Sequence, residues 1–436
     1  MKKIILMATL ACAAASAYAA WPLSLKQAQQ CLFTNNIDIA IADKEYSKKT
    51  AELSESRALW YPSLDAAGSF IYQSKRNSVS LNLPAPIGAV NQSIGTFDRD
   101  ELGIDLSYPI TAALVNIHNV KYRNIGLKIK QAQNDGLKNM LSMKLGALYF
   151  TWEMATKQLT VQTMLVNQLD STVAQLTSMQ QSGISTSSRV LDAQARLENA
   201  RVVVLGLENQ TDSLKRELLT LINYDSPSDV LPQEYAFCVD SAGLRILDTL
   251  TVNINRPEIT ALDLSANQLS VYNQMLLGQK YPLLVCSAGY RYGKPGVAMG
   301  GTEFMNYTVA SVQLKFNIFD GFKVSSQRQQ VREQIDIVAQ QKEQMLHTWN
   351  NAITTARMQY AKAKKQEAAA KTALLAAQAF LTDAKNALDA GTGTSLDYLN
   401  AVTGEASAHL GVAQAQYAQK MALLQLFYVA GNDVRF

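Results

Sequence analysis

The side chains that could carry enzyme chemistry are few in this sequence, and they lie far apart. The three histidines, His118, His347 and His409, stand on segments with helical patterning, where solvated or interhelical histidines are common. No glycine-rich phosphate loop, metal-spaced Cys/His cluster or G-x-S-x-G motif occurs. We therefore predict no catalytic residue, no metal site and no cofactor, and a protein that is not an enzyme.

The first residues have the pattern of an export signal. Lys2 and Lys3 precede a short apolar run that ends in Ala17-Tyr18-Ala19, an A-x-A cleavage site, so residues 1–19 are predicted to be a signal peptide. Cys12 leaves lipidation open as an alternative. No later run of eighteen apolar residues occurs, and the sequence therefore predicts no transmembrane helix.

The remaining cysteines and the charge exclude other classes. Cys31, Cys238 and Cys286 are widely spaced and odd in number, which favours buried free thiols over a disulfide framework or a metal motif. The formal net charge is only +4, so no nucleic-acid surface is expected.

The sequence contains an internal duplication, so the elements that would position any site occur in two copies. Three landmarks recur in the same order, and the second and third recur at the same offset. They are Trp60–Leu64 and Lys280–Leu284, Ile104–Ile110 and Val312–Ile318, and Ser182–Ser187 and Ala390–Ser395. Equal spacing in two copies suggests two arms that must reach the same depth.

These landmarks divide the chain. A first repeat is predicted over residues 20–222 and a second over residues 255–430, each with a helix, a β-hairpin and a helical hairpin. The remaining segments are the signal peptide of residues 1–19, a linker over residues 223–254 and a C-terminal tail over residues 431–436.

Each repeat contains a long stretch that is free to be helical. No proline occurs between Pro109 and Pro227 or after Pro295. Apolar residues follow a heptad rhythm on both sides of each glycine-containing turn, which predicts antiparallel coiled-coil hairpins. A helix over residues 113–182 would extend about 100 Å at 1.5 Å per residue. The last helix carries two apolar seams, which predicts that it packs between two neighbours.

Four segments with period-two patterning are predicted strands: Leu64–Tyr72, Leu102–Tyr108, Leu284–Tyr292 and Thr308–Ile318. Their length suits a tilted strand that crosses a bilayer, although an ordinary antiparallel sheet with one buried face remains the alternative. The connections, residues 77–97 and 293–303, are predicted loops. Four strands cannot close a transmembrane barrel, so any barrel must be shared between subunits.

At these motifs the chain resembles the TolC-type outer-membrane efflux proteins, the outer membrane factors. The resemblance rests on Asn36–Ile39 and Arg256–Ile259 at the start of each repeat, on Tyr-Pro-x-Leu before each first strand, and on residues 312–321 and 391–401. It implies a mainly α fold with a transmembrane β-barrel part. Long coiled-coil helical hairpins and four strands per protomer would build a trimeric, 12-stranded α/β barrel.

The resemblance also implies a function. A homotrimer in the outer membrane, in contact with its lipid, would span into the periplasm. It would form the exit duct of a tripartite efflux or type I secretion system, together with a periplasmic adaptor protein and an inner-membrane transporter. The substrate and the partner pump are not predictable from the sequence. The competing class is a non-conducting, periplasm-spanning coiled coil that tethers the envelope layers.

The same resemblance assigns site residues. Asp397 and Asn400 take the positions of the pore constriction, where a ring of Asp397 carboxylates would favour cations; alternatively, Asp397 is a solvated partner of a helix N-terminus. Arg189 and Leu388 are the possible gating contacts, although the Arg/Asp pair of the best-studied branch is absent. The adaptor-docking or pump-docking turns comprise Gly183, Ile184, Ser185, Thr186, Gly391, Thr392, Gly393 and Thr394. The alternative is that these residues only form the turns, because glycine supplies a positive φ and Ser or Thr caps the next helix.

Overall fold

A computed structural model of the 436-residue chain describes residues 21–82, 84, 86, 88–183, 185–224, 230–235, 253–294, 296–297 and 301–431. The predicted signal peptide, Cys238, Ile184, most of the predicted linker and all but one residue of the predicted tail lie outside these residues. The described residues form seven helices: α1 (Leu25–Asn35), α2 (Ile37–Ala58), α3 (Ile110–Gln181), α4 (Ser187–Leu221), α5 (Pro257–Gly278), α6 (Lys323–Asp389) and α7 (Ser395–Ala430).

Eight strands accompany the helices in the described part of the chain. They are β1 (Trp21–Leu23), β2 (Ser63–Tyr72), β3 (Asn77–Asn82), β4 (Ala89–Ile94), β5 (Asp98–Pro109), β6 (Val230–Pro232), β7 (Leu283–Lys294) and β8 (Met305–Lys315). Strands β2, β5, β7 and β8 form one antiparallel sheet in that order. Strands β1 and β6 pair in parallel, and β3 pairs with β4 in an antiparallel hairpin. Mainly helical architecture with four main strands is confirmed.

The chain divides into two compact units, and each draws on both sequence repeats. Unit 1 comprises Met1–Lys44, Ala132–Thr260 and Lys342–Phe436, and unit 2 comprises Glu45–Gln131 and Ala261–Gln341. Helices α3 and α6 each contribute residues to both units, whereas α4 and α7 lie wholly in unit 1. Among the described residues, no helix combines the length and the apolar character needed to span a membrane.

The heptad stripes form the core of unit 1. In α3, Leu145, Trp152, Ala155 and Leu169 are at most 1% exposed. In α7 both predicted seams contribute buried residues, Ala406 and Ala413 of one seam and Ala401, Ala415 and Leu426 of the other. A helix buried on two sides has two neighbours, as predicted.

Hydrogen bonds connect the segments around β1 and β6 to this core. The Tyr149 hydroxyl lies 2.6 Å from the carbonyl oxygen of Leu23 and 2.7 Å from that of Gln233, which fixes α3 to the segments around β1 and β6. Burial raises the pKa of Tyr149, so the hydroxyl remains a hydrogen-bond donor.

The motif that opens each repeat has the same structural task in both copies. Asn36 donates from Nδ2 to the carbonyl oxygen of Leu221 at the end of α4 (2.8 Å). Arg256 donates from Nη1 to the carbonyl oxygens of Tyr428 and Val429 at the end of α7 (2.8 and 2.6 Å). Each residue satisfies helix-terminal carbonyls that have no partner within their own helix. The repeat thus closes on itself at the end of its last helix.

The four-stranded sheet of unit 2 has two chemically different faces, because successive side chains of a strand point to opposite sides. We call one the apolar face; its large side chains are exposed. They are Leu64, Phe70, Tyr72, Leu102, Ile104, Leu106, Tyr290, Tyr292, Val312 and Leu314. The other, here called the polar face, carries Ser63, Asp65, Glu101, Asp105, Ser107, Ser287, Arg291, Tyr307 and Ser311.

Three details differ from the sequence-based expectation. The predicted last strand is too long, since β8 ends at Lys315 and Phe316 and Ile318 lie outside it. The chain turns there through Gly321 and Phe322, with φ of 64° and 63°, and the Asp320 carboxylate accepts the Val324 N–H at the start of α6 (3.1 Å). Because the Asp320 side chain caps α6, the chain before it has already left the sheet.

The loop predicted over residues 77–97 is the second difference, because it contains the β3–β4 hairpin. Its turn-rich composition concealed short strands with a weak alternation. The third difference concerns the thiols: Cys31 and Cys286 are free, but they are half-buried and not fully buried.

Candidate functional site

The two turns that join the long helices are built from backbone hydrogen bonds and glycine. In the first turn, Gly183 has a φ of 74°, and its N–H donates to the Gln180 carbonyl oxygen (2.9 Å). The Ser185 N–H donates to the Met179 carbonyl oxygen (3.2 Å), which closes the end of α3. A positive φ favours glycine, and this conformation ends the helix after Gln181.

The second turn repeats this geometry with an additional restriction. Gly391 has a φ of 73° and donates its N–H to the Leu388 carbonyl oxygen (3.0 Å), and the N–H groups of Thr392 and Gly393 both donate to Ala387. A Cβ on Gly393 would lie 2.9 Å from the Ala387 Cβ. This position therefore requires glycine for space, and Gly391 requires it for conformation.

Asp397 completes the N-terminal cap of α7. The Asp397 N–H donates to Thr394 Oγ1 (3.2 Å), and the Thr394 hydroxyl donates to Asp397 Oδ2 (2.5 Å). A carboxylate in the first turn also interacts favourably with the helix dipole. The equivalent Thr186 in the first turn makes no such side-chain bond. Thr394 Oγ1 therefore caps the helix, and the Asp397 carboxylate holds the Thr394 hydroxyl while it remains exposed to solvent.

Asn400 lies one turn further along α7, and it is connected to the other hairpin. Its Oδ1 accepts a hydrogen bond from Arg196 Nη1 of α4 (3.1 Å), and Arg196 Nε donates to Asp192 Oδ2 (3.2 Å). Arg196 was not predicted as a site residue. Its i, i+4 spacing from Asp192 indicated a helix-surface pair. Nothing in the local sequence indicated that α4 would place it against Asn400.

The helices next to both turns share one apolar cluster of unit 1. Leu176, Val190 and Leu197 of the first hairpin and Tyr398 and Leu399 of the second are all buried in it. The structure therefore brings the two predicted docking turns to the same end of this unit. Leu388 is half-buried against the same cluster, whereas the Arg189 side chain is exposed and forms no hydrogen bond with another described side chain.

A model of the family described as Outer membrane efflux protein matches residues 29–223 and residues 252–432. Each matched segment corresponds to one of the two sequence repeats, and together they cover most of the chain. No curated protein sequence matches the chain significantly.

Several solved structures share the fold of this chain. VceC from Vibrio cholerae superposes with a TM-score of 0.72 at 15% identity, over 94% of this chain and 96% of VceC. CusC gives a TM-score of 0.74 at 15% identity, over 96% of each chain. The MtrE outer membrane channel of Neisseria gonorrhoeae gives 0.74 at 16% identity, over 94% of this chain and 89% of MtrE. At these identities the likeness shows the fold alone.

The family match and the fold agree with the geometry of the chain. MtrE is an outer membrane channel, and VceC is an outer membrane protein. The chain belongs to the outer membrane efflux protein family, whose members are efflux channels of the outer membrane.

Proposed function

We propose that the protein is the exit duct of a tripartite efflux or type I secretion system. A homotrimer would assemble a twelve-stranded barrel in the outer membrane. The helical hairpins would extend into the periplasm and meet an adaptor protein and an inner-membrane transporter. The transporter would supply the energy, and this chain would supply the route.

The observation that carries the proposal is the four-stranded sheet with its two open edges. Strands β2 and β8 each have an unpaired edge in this sheet, and they run antiparallel to each other. The β8 edge of one copy can therefore pair with the β2 edge of the next, in a head-to-tail ring. Closure removes both edges and leaves the exposed apolar face toward lipid, as membrane strands require.

The constriction is proposed at Asp397 and Asn400. Three copies would place three Asp397 carboxylates at one level, and charged rings of this kind favour ions of opposite sign. Arg196, whose charge is paired with Asp192, lies 3.1 Å from Asn400 and fixes the orientation of this amide. Arg189 and Leu388 remain proposed gating contacts. Their chemistry differs, since one is an exposed cation and the other is an apolar packing residue.

The docking turns are proposed at Gly183–Thr186 and Gly391–Thr394. Both turns expose backbone and small polar side chains at the same end of unit 1, which suits recognition by a partner helix pair. Thr392→Arg should reduce export of a fluorescent dye from cells and leave conductance of the purified protein unchanged. Thr382→Arg, an exposed position on α6, is the matched control. Equal export by both variants would contradict docking at this turn.

The central experiment measures single-channel current of the purified protein in planar bilayers and its mass in detergent. We expect a trimer with a cation-preferring conductance that Asp397→Asn makes less selective. A protein that never conducts, even as Asp397→Ala, is the outcome expected of the alternative, a tethering coiled coil. A stable species other than a trimer would contradict the proposed architecture.

A further inference from the structure

The polar face of the sheet carries a row of four serines that crosses all four strands. Ser63 is opposite Ser107, Ser107 is opposite Ser287, and Ser287 is opposite Ser311. The outer pairs are hydrogen-bonded, with 2.7 Å between the hydroxyl oxygens of Ser63 and Ser107 and between those of Ser287 and Ser311. The row is neutral, and its hydroxyl groups largely satisfy one another.

A charged zone begins one step along the strands, about 7 Å further at 3.4 Å per residue. Arg291 lies at its centre, with Nη1 at 2.6 Å from Glu101 Oε1 and Nη2 at 3.2 Å from Asp105 Oδ1. The Tyr307 hydroxyl donates to the second oxygen of Glu101 (2.9 Å). These four side chains form one connected network across β5, β7 and β8.

Glycines make room for this network to lie flat on the sheet. A Cβ on Gly289 would lie 2.3 Å from Asp105 Oδ1, and a Cβ on Gly103 would lie 3.1 Å from Arg291 Cγ. The charged groups therefore lie across neighbouring strands where side chains would otherwise stand. Such an arrangement holds charge at the wall and leaves the space in front of the face open.

Asp65 is the exception in this zone. It lies directly opposite Asp105 on β2, and it is exposed. Its carboxylate accepts a hydrogen bond from Ser63 Oγ (3.2 Å) but forms no ion pair with another described residue. Like charges at directly opposite positions are unfavourable. Arg291 relieves this repulsion from the Asp105 side only.

From this arrangement we propose that the polar face is a second charge filter of the channel, separate from the helical constriction. Asp65 is its selectivity-determining carboxylate, and Arg291 limits its strength. The proposal rests on the proposed function, in which this face lines the conducting passage. Between the serine row and Glu101, the face holds three carboxylates and one guanidinium, a net charge of −2 for each copy at neutral pH. Passing cations would be favoured at this level.

Screening distinguishes this filter from the constriction at Asp397. The Debye length is about 30 Å at 0.01 M salt and about 3 Å at 1 M. A charge on the wall of a wide barrel acts on ions near the axis only at low salt. A charge at a narrow constriction acts on ions at contact distance, and its effect therefore persists at high salt.

The test measures the reversal potential of the current through the purified, full-length protein in planar bilayers. The KCl gradients are centred at about 0.01 M and at about 1 M. In Asp65→Asn, we expect the cation-to-anion permeability ratio to fall about twofold at the lower salt and to match the unchanged protein at the higher salt. Asp397→Asn should lower the ratio at both. Adding Asp65→Asn to Asp397→Asn should give the same low-salt decrease.

The matched control is Asp98→Asn, which removes one carboxylate from the other face of the same sheet, where Asp98 pairs with Lys294. Its permeability ratio should not change.

A second pair of variants tests the role of Arg291. Arg291→Gln should raise the cation-to-anion permeability ratio at low salt, and Arg291→Lys should leave this ratio unaltered. If Arg291→Gln does not fold, the Asp65→Asn measurement alone tests the filter. A low-salt ratio in Asp65→Asn equal to that of the unchanged channel would overturn the filter alone. Absence of any current from the unchanged protein would overturn the proposed function and the filter together.

Discussion

At the residue scale, Arg256 is the most deeply buried charged side chain among the described residues. Its side chain is 2% exposed, stacks 3.6 Å from the centre of the Trp349 ring, and forms a salt bridge with Glu258 as well as its bonds to the end of α7. Burying a guanidinium is costly unless every part of it has a partner. Here the ring, the carboxylate and the carbonyl oxygens supply those partners.

We expect Arg256→Met to lower the stability of the protein by about 3 kcal/mol, because it removes the donor to the Tyr428 and Val429 carbonyl oxygens and leaves the Glu258 carboxylate without its ion-pair partner. Asn36→Ala, which removes the equivalent closure in the first repeat, should cost only about 1 kcal/mol, since one neutral hydrogen bond is lost. Thermal unfolding of the detergent-solubilised protein measures both. Equal losses would show that the charge and the ring stacking contribute nothing.

The second prediction at this scale concerns pH. The Lys157 ammonium, which lies 2.6 Å from Glu234, holds the pKa of that carboxyl below its usual 4.5. A carboxyl whose pKa is lower in the folded state stabilises the fold above its unfolded pKa, and this contribution is lost as the pH falls through the lowered value. Glu234→Gln should therefore be less stable than the unchanged protein at pH 7, and the difference should vanish in acid below the lowered pKa.

Lys157→Gln tests the same pair from the other side. Burial lowers the pKa of Lys157, but its hydrogen bond to Glu234 and the charge of Glu153 raise it overall, so Lys157 stays charged over the whole acid range. Because Lys157 also lies 3.5 Å from the buried Glu153 carboxylate, Lys157→Gln should lower the melting temperature at pH 7 by more than Glu234→Gln does. Equal losses in the two variants would mean that the contact between Lys157 and Glu153 contributes nothing to stability.

At the element scale, the helical hairpins show how far local patterning predicts structure. The heptad stripes predicted α3, α4, α6 and α7, because a buried stripe repeats along a helix whatever it packs against. The end of the last strand was misplaced, since the Asp320 cap at the start of α6 depends on a single side chain and not on a repeat. The β3–β4 hairpin was missed for a similar reason: six-residue strands give too few alternations to stand out.

Two glycines of the second hairpin should respond to the same substitution with opposite signs. Gly391→Ala should destabilise by about 1 kcal/mol, because its φ of 73° suits glycine and an added Cβ meets nothing within 4 Å that could compensate. Gly404→Ala, inside α7 with equally open surroundings, should stabilise by about 0.5–1 kcal/mol through helix propensity. Chemical denaturation measures both. The same sign for both variants would contradict the assigned backbone conformations.

At the scale of the whole molecule, the two faces of the sheet face different solvents. The chain is an outer-membrane protein by family, and Val312 of the apolar face is 70% exposed in the single chain. In the assembled barrel that side chain would lie in lipid. Its neighbour Ser311 points to the opposite face, toward the passage.

Val312→Arg should impair assembly into lipid vesicles, at a cost of about 2–4 kcal/mol per copy if the position is near the bilayer centre. Ser311→Arg, the adjacent position on the same strand, should assemble normally because its side chain faces water. The fraction of protease-resistant, folded protein in vesicles is the measurement. Comparable loss in both variants would contradict the assignment of the faces.

The sequence by itself determined the duplication, the two helical hairpins, the turns and the alternation that separates an apolar from a polar face. Each of these features is periodic along the sequence: the strand faces repeat every two residues, the helix stripes every three and a half, and the duplication once per repeat. Such periods can be recognised without knowing which segments pack together. It also located Asp397 and Asn400 through the family resemblance.

Only the tertiary structure decided which side chains meet. Arg196 reaches Asn400 across 204 residues, and Arg291 reaches Glu101 across 190. The serine row joins four strands from both repeats, and Arg256 closes a helix that ends far along the chain. Such neighbours depend on strand order, register and helix packing. These choices are made by the whole folded core, and local periodicity leaves them free.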